Sequence, residues 1–317
     1  MRPLLALVVL VASGSPAVVR AQPPEPSAPA PRSGFTLAYD AARGAVVLFG
    51  GSDSTYTRLG DTWLWTDGAW RRLGLPGPPA RSDGQAAYDA ARGTVVLFGG
   101  RGADRELLGD TWLFDGTTWR EVEGPGPSAR QLAAMAYDGA RERVVLFGGQ
   151  GAGRAVLGDT WEWDGQGWAR VATEGPSARA SHALAYDAAR ERTVLVGGYG
   201  DGVLGDTWTW DGARWARVQA PSLPRLHTAL AYDAQHGRLL LFGGFGEAQR
   251  EGDLWAWTGG AWQPVPGDHP APRAEHEGVY VPGQGFLIVG GVVGQGMEHE
   301  DRAKANDVWR YDGAGWR

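Results

Sequence analysis

From Arg32 onward the chain repeats one rhythm of apolar and polar positions. The stretch from Tyr137 to Trp168 shows it best. Val144, Val145, Leu146 and Phe147 form an unbroken apolar run closed by Gly148-Gly149. A polar loop follows, then Asp159-Thr160-Trp161-Glu162-Trp163, which alternates. Asp164-Gly165 marks a turn, and a short half-polar run begins at Trp168. Runs of this length between turn residues predict strands, and no helical period is present. A further strand precedes them, from Arg130 to Tyr137. The unbroken apolar run predicts a strand buried on both faces. The run from Trp168 predicts a half-exposed outer edge. One such sheet cannot bury its faces alone and needs neighbours on both sides.

The sequence supplies those neighbours. The double glycine recurs at Gly50-Gly51, Gly99-Gly100, Gly148-Gly149, Gly197-Gly198, Gly243-Gly244 and Gly290-Gly291. Asp-x-Trp recurs in phase at Asp61/Trp63, Asp110/Trp112, Asp159/Trp161, Asp206/Trp208, Asp253/Trp255 and Asp307/Trp309. A distal tryptophan follows each time, at Trp70, Trp119, Trp168, Trp215, Trp262 and Trp316. Five copies carry Ala-Tyr-Asp, and the sixth has Val279-Tyr280-Val281. Apolar strand, diglycine, Asp-x-Trp and distal Trp together resemble the kelch repeat, in the form of a galactose-oxidase-like central domain. The resemblance spans residues 32–317. It implies an all-β, six-bladed propeller with four antiparallel strands per blade. The blades are expected over residues 32–73, 81–122, 130–171, 179–218, 225–265 and 273–317, with no helix in any diglycine loop. Every copy begins with its first strand, so the ring closes by packing blade one on blade six, or with a few leader residues added to the edge. Propellers host many activities, so the fold alone does not name a function.

Composition agrees with stacked sheets. There are 50 Gly and 16 Trp, and every Trp falls in a third or fourth strand. Large aromatics wedge between sheets, and glycine serves where backbones crowd. There is no cysteine, so no disulfide braces the fold, and the copper-radical chemistry of galactose oxidase, which needs one, is not implied. Net charge is −6, with Lys304 the one lysine among 30 basic residues. No basic, aromatic-interleaved patch points to nucleic acid. Residues 1–21 read as a secretory signal: Arg2, an apolar run over 4–12, and Val19-Arg20-Ala21 at the cleavage end. That run is too short to span a bilayer. Residues 22–31 form a proline-rich leader. A secreted or periplasmic monomer is expected.

Symmetry separates architecture from candidate chemistry. The first-strand arginines (Arg32, Arg81, Arg130, Arg179, Arg225, Arg273) and the six Asp-x-Trp aspartates recur in every copy and are expected to pair. Antiparallel connectivity puts the loops after the second and fourth strands on one face. Variable loops on a rigid scaffold are where function usually sits. His182 and His276 stand three residues after the arginine, where kelch repeats often carry a core histidine. His227 is one residue off that slot, and His269 and His299 fall in loops and are freer. Blade six breaks the pattern most, with Glu275-His276-Glu277 and an acidic loop at 297–301. Glu275, His276 and His299 are therefore the acid–base candidates. Their spacing matches no metal motif, and no metal or cofactor is expected. Arg101, Arg154, Tyr199 and Phe245, with His276 and His299, are the ligand-binding candidates, because aromatic and arginine side chains favour recognition surfaces. The leading expectation is an exported binding module for a protein or glycan ligand. The alternative is a carbohydrate-active enzyme, similar in size to kelch mutarotases acting on sialic acid, with acid–base residues in blade six. A third is a subunit of a surface assembly.

Overall fold

The computed structural model describes residues 26–294 and 303–317. The expected signal sequence, the first leader residues and His299 with its acidic loop lie outside them. Six sheets are arranged in a ring. Blade one is Thr36–Asp40, Ala45–Phe49, Thr62–Thr66 and Ala69–Leu73, paired antiparallel in chain order. Blade three repeats it with Ala134–Asp138, Arg143–Gln150, Val156–Trp163 and Trp168–Ala172. Blade six lays Arg273–Ala274 and Glu277–Val281 on Gly285–Val293, then adds Ala303–Tyr311, and Trp316 bridges back to Tyr311. Each first strand neighbours the first strand of the next blade, and blade six neighbours blade one, so the ring is closed without exchange of a strand.

The second strands are buried along their length, as the apolar runs require. Six hydrophobic clusters fill the six spaces between adjacent blades. Trp63, Trp163, Trp210 and Trp257 are the largest apolar side chains fully buried in them. An indole of this kind removes about 150–250 Å² from water, about 4–6 kcal/mol of apolar transfer. Trp161, expected to be a buried wedge, is only half-buried; its indole N–H goes instead to Asp159 Oδ2 at 2.7 Å.

The diglycine has a steric reason. Gly148 and Gly149 have φ of 61° and 102°. A Cβ on Gly148 would lie 2.5 Å from the Arg179 carbonyl oxygen of the next blade, and one on Gly149 would lie 2.8 Å from that of Gln131. The crowding comes from a clasp between blades. Arg179 N–H donates to Leu157 O at 3.0 Å, and Gly149 N–H donates to Arg179 O at 2.9 Å. The same pair of bonds recurs at every junction, including Arg32 N–H to Ala305 O and Gly291 N–H to Arg32 O between blades one and six.

Two expectations need correction. Among the described residues one diglycine loop holds a 3-10 turn, at Ala152–Arg154, with Gly153 at φ 63°; such a turn closes a short hairpin tip tightly. The first strands are also not continuous from the arginine. Each breaks two residues later, where the backbone turns left-handed.

Candidate ligand-binding face

The broken step in the first strand organises one mouth of the central channel. The six positions are Gly34, Asp83, Leu132, Ser181, His227 and Glu275, with φ between 54° and 61°. Each N–H donates to the carbonyl of its predecessor round the ring: Asp83 to Gly34 at 2.7 Å, Leu132 to Asp83 at 2.9 Å, Ser181 to Leu132 at 2.8 Å, His227 to Ser181 at 2.9 Å, Glu275 to His227 at 3.3 Å and Gly34 to Glu275 at 3.4 Å. A closed circle of six backbone hydrogen bonds joins all the blades. The residue before each step pairs with the first residue after the diglycine, as in Gln131 with Gln150 and Ala180 with Tyr199. The mouth therefore opens on the face of the variable loops. Below it runs a channel of about 370 Å³ lined by all six first strands, in the range of small-ligand sites.

The repeated arginines lie beneath this face, each paired with the aspartate of its own blade. Arg130 forks onto Asp159 at 2.7 and 3.0 Å and also donates to Gly148 O. The pairs Arg32–Asp61, Arg81–Asp110, Arg179–Asp206 and Arg273–Asp307 match it, whereas Arg225 holds Asp253 by a single bond at 2.6 Å. Burial works to raise the Asp159 carboxyl, but the hydrogen bonds and charge of Arg130, with the Trp161 indole, outweigh it and hold it below the usual range. These arginines brace the fold and offer no free ring for an anionic ligand.

The rim is mixed. Tyr56 and Tyr199 are half exposed, at 52% and 50%. Arg154 and Arg105 are exposed at left-handed tips, and Arg101 is half-buried with its Nε on Arg105 O. Phe245 is half-buried. Lys304 reaches from blade six to blade one, donates to Ser52 O, Ser52 Oγ and Asp53 O at 2.8–2.9 Å, and lies over the Tyr56 ring.

Acidic groups gather on one side of the mouth. Asp83 leans across the bare Gly34, where a Cβ would lie 2.5 Å from its Oδ1. Burial, and then the charge of Glu275, push its carboxyl up, against a hydrogen bond from Ser82. Burial and the Asp83 charge raise Glu277 to about 8, so it keeps its proton at neutral pH. Glu275 is exposed at the rim. Among the described residues no cluster of His, Asp or Glu has the geometry to hold a metal ion.

The histidines divide differently from the expectation. His276 is 2% exposed, edge-on to Phe242, with Nε2 3.2 Å from Phe242 O; burial lowers it to about 3. His182 is in the same slot, against Phe147, and burial lowers it to about 3 as well. Both stand neutral between blades. His269 is not free: it accepts from Trp316 Nε1 on Nδ1, and its Nε2 lies 3.1 Å from Val265 O. His227, set aside as off the slot, lines the mouth, as do Asp83, which the sequence reading passed over, and Glu277, noted there only as part of Glu275-His276-Glu277. Arg101, Tyr199 and Phe245 hold equivalent positions on the same face, and Arg154 sits at a loop tip beside them.

The model of the KLHDC2/KLHL20/DRC7 Kelch-repeats domain matches residues 65–225. That stretch runs from the third strand of blade one to the start of blade five. No curated protein matches the chain.

Proposed function

The chain belongs to the kelch-repeat domain family, a propeller of the protein-interaction kind, and from that premise we propose that it is exported and binds a protein or glycan ligand across the face carrying the axial mouth. One observation carries the reading. At the mouth the backbone is the same six times over, yet the side chains are Gly34, Asp83, Leu132, Ser181, His227 and Glu275. A scaffold held constant beneath changing side chains suits recognition. Tyr199 and Phe245 supply aromatic anchors, the residue type that concentrates interface energy.

The test is a peptide library and a glycan array probed with the mature chain. Hits that vanish in Tyr199→Ala/Phe245→Ala and persist in Arg214→Ala support the reading. Arg214 is 84% exposed in a loop of the opposite face. The reverse pattern would place function on the other side. Conversion of a bound sugar, lost in Glu275→Ala, would favour the carbohydrate-enzyme alternative. Export is checked by the mature N-terminus, expected at Gln22.

A further inference from the structure

Four of the six blade junctions share an indole–hydroxyl tie that both junctions of blade six lack. The distal indole N–H of one blade donates to a threonine hydroxyl of the blade before it: Trp119 to Thr62, Trp168 to Thr111, Trp215 to Thr160 and Trp262 to Thr207, all at 2.9 Å. Between blades five and six Leu254 replaces the threonine, and Trp316 turns to His269 instead. Between blades six and one Val308 replaces it, and the buried Trp70 indole N–H has no partner. On the opposite face, turn residues tie blade to blade. Ala42 N–H donates to the Tyr88 hydroxyl and Ala91 N–H to that of Tyr137, both at 3.1 Å. Arg43, Arg92 and Arg190 reach Gly93 O, Glu142 O and Gly237 O. Blade six has Val281-Pro282-Gly283-Gln284 there, with neither the aspartate nor the arginine.

The same junction carries a carboxyl at a first-strand position where the other five blades have none. Where Glu277 stands, the other blades have Thr36, Gln85, Ala134, Ala183 and Ala229. Asp83 from blade two and Glu275 on its own strand face the same pocket. His227 of blade five, with Arg58 and Lys304 from above, act on the Asp83–Glu275 pair. Arg32 and Arg273 are already committed to Asp61 and Asp307. The junction's compensating ties lie on the upper face: Lys304 on Ser52 and Asp53, and Asn306 Nδ2 on Pro29 O at 3.0 Å.

We infer that the junction between blades six and one is a built-in opening point of the ring, pinned at the rim by Lys304 and released when Glu277, just inside the mouth, loses its proton. The sign follows from linkage. Glu277 is raised above its unfolded value to about 8, so the folded ring binds more protons. Stability from this group is present at low pH and is lost as pH rises through about 8.

Hydrogen exchange on the full mature chain, corrected for intrinsic rates, tests this. Segments 36–40 and 277–281 are expected to exchange about tenfold faster than 134–138 and 183–187. The excess should grow from pH 6.5 to 8.5, should keep no pH dependence in Glu277→Gln, and should shrink in Val308→Thr. Glu277→Gln installs the residue blade two already uses, and Glu277→Ala installs that of blades three to five, so the second variant serves if the first does not fold. Equal protection at all six junctions, or a pH effect that survives loss of the carboxyl, overturns the inference.

Discussion

The two faces of the disc are built on opposite plans. The lower face repeats side chains: in blades one to four a tyrosine, a buried aspartate and an arginine recur and tie turn to turn. The upper mouth repeats only backbone, a ring of left-handed residues whose side chains differ at every step. Where a contact is made by side chains, each copy must keep the same residue. Where it is made by peptide groups, the residue is released for other work.

The packing shared by both faces should give the largest effects. Trp163→Ala should cost about 3–5 kcal/mol, read from urea unfolding, because it empties a fully buried indole site. Trp161→Ala, half-buried, should cost visibly less. A smaller loss tests the lower plan: Tyr88→Phe and Tyr137→Phe should each cost about 1 kcal/mol by removing the acceptor of a backbone N–H, and the two values should agree. Unequal values would break the claim of repetition. A gain is expected at the odd junction, where Val308→Thr offers Trp70 a hydroxyl worth about 1 kcal/mol, seen as a higher Tm. On the upper plan, Glu275→Gly should stabilise by about 0.5–1 kcal/mol, since an exposed left-handed glutamate gives way to a residue without that strain. Smallest of all, Tyr199→Ala should shift stability by less than about 0.5 kcal/mol while removing ligand binding.

Acidity sharpens the contrast further. Asp61, Asp110, Asp159, Asp206 and Asp307 are all held below their usual value despite burial, chiefly by their arginines. A depressed carboxyl stabilises above its unfolded value of 3.8 and loses that stabilisation as pH falls through the folded one. Melting temperature should therefore fall steeply below pH 4, while Glu277 acts with the opposite sign near pH 8.

Much of the architecture was legible because repetition marks it. Six diglycines, six Asp-x-Trp units and six arginines in phase specify blades, braces and burial, and the structure pairs them as their spacing implies. The mouth was not legible. Left-handed backbone usually announces itself through glycine or asparagine, and here Leu132, His227 and Glu275 adopt it with no compositional trace. Five of the hydrogen bonds that impose it run between residues about fifty positions apart, and the sixth joins Gly34 to Glu275 near the other end of the chain. Trp161 is half-buried and Trp163 fully buried, a distinction alternation cannot show. His269 looked free because its partner, Trp316, is contributed by the following blade.

The circle of peptide hydrogen bonds has a consequence for descent. A contact made by peptide groups does not depend on which side chain is present, although proline, which has no N–H, is barred from those six places and β-branched residues are disfavoured by their left-handed backbone. A lineage carrying this propeller can rewrite its mouth one position at a time while the ring stays shut. New specificities are then reached by single steps, with no compensating change elsewhere in the chain.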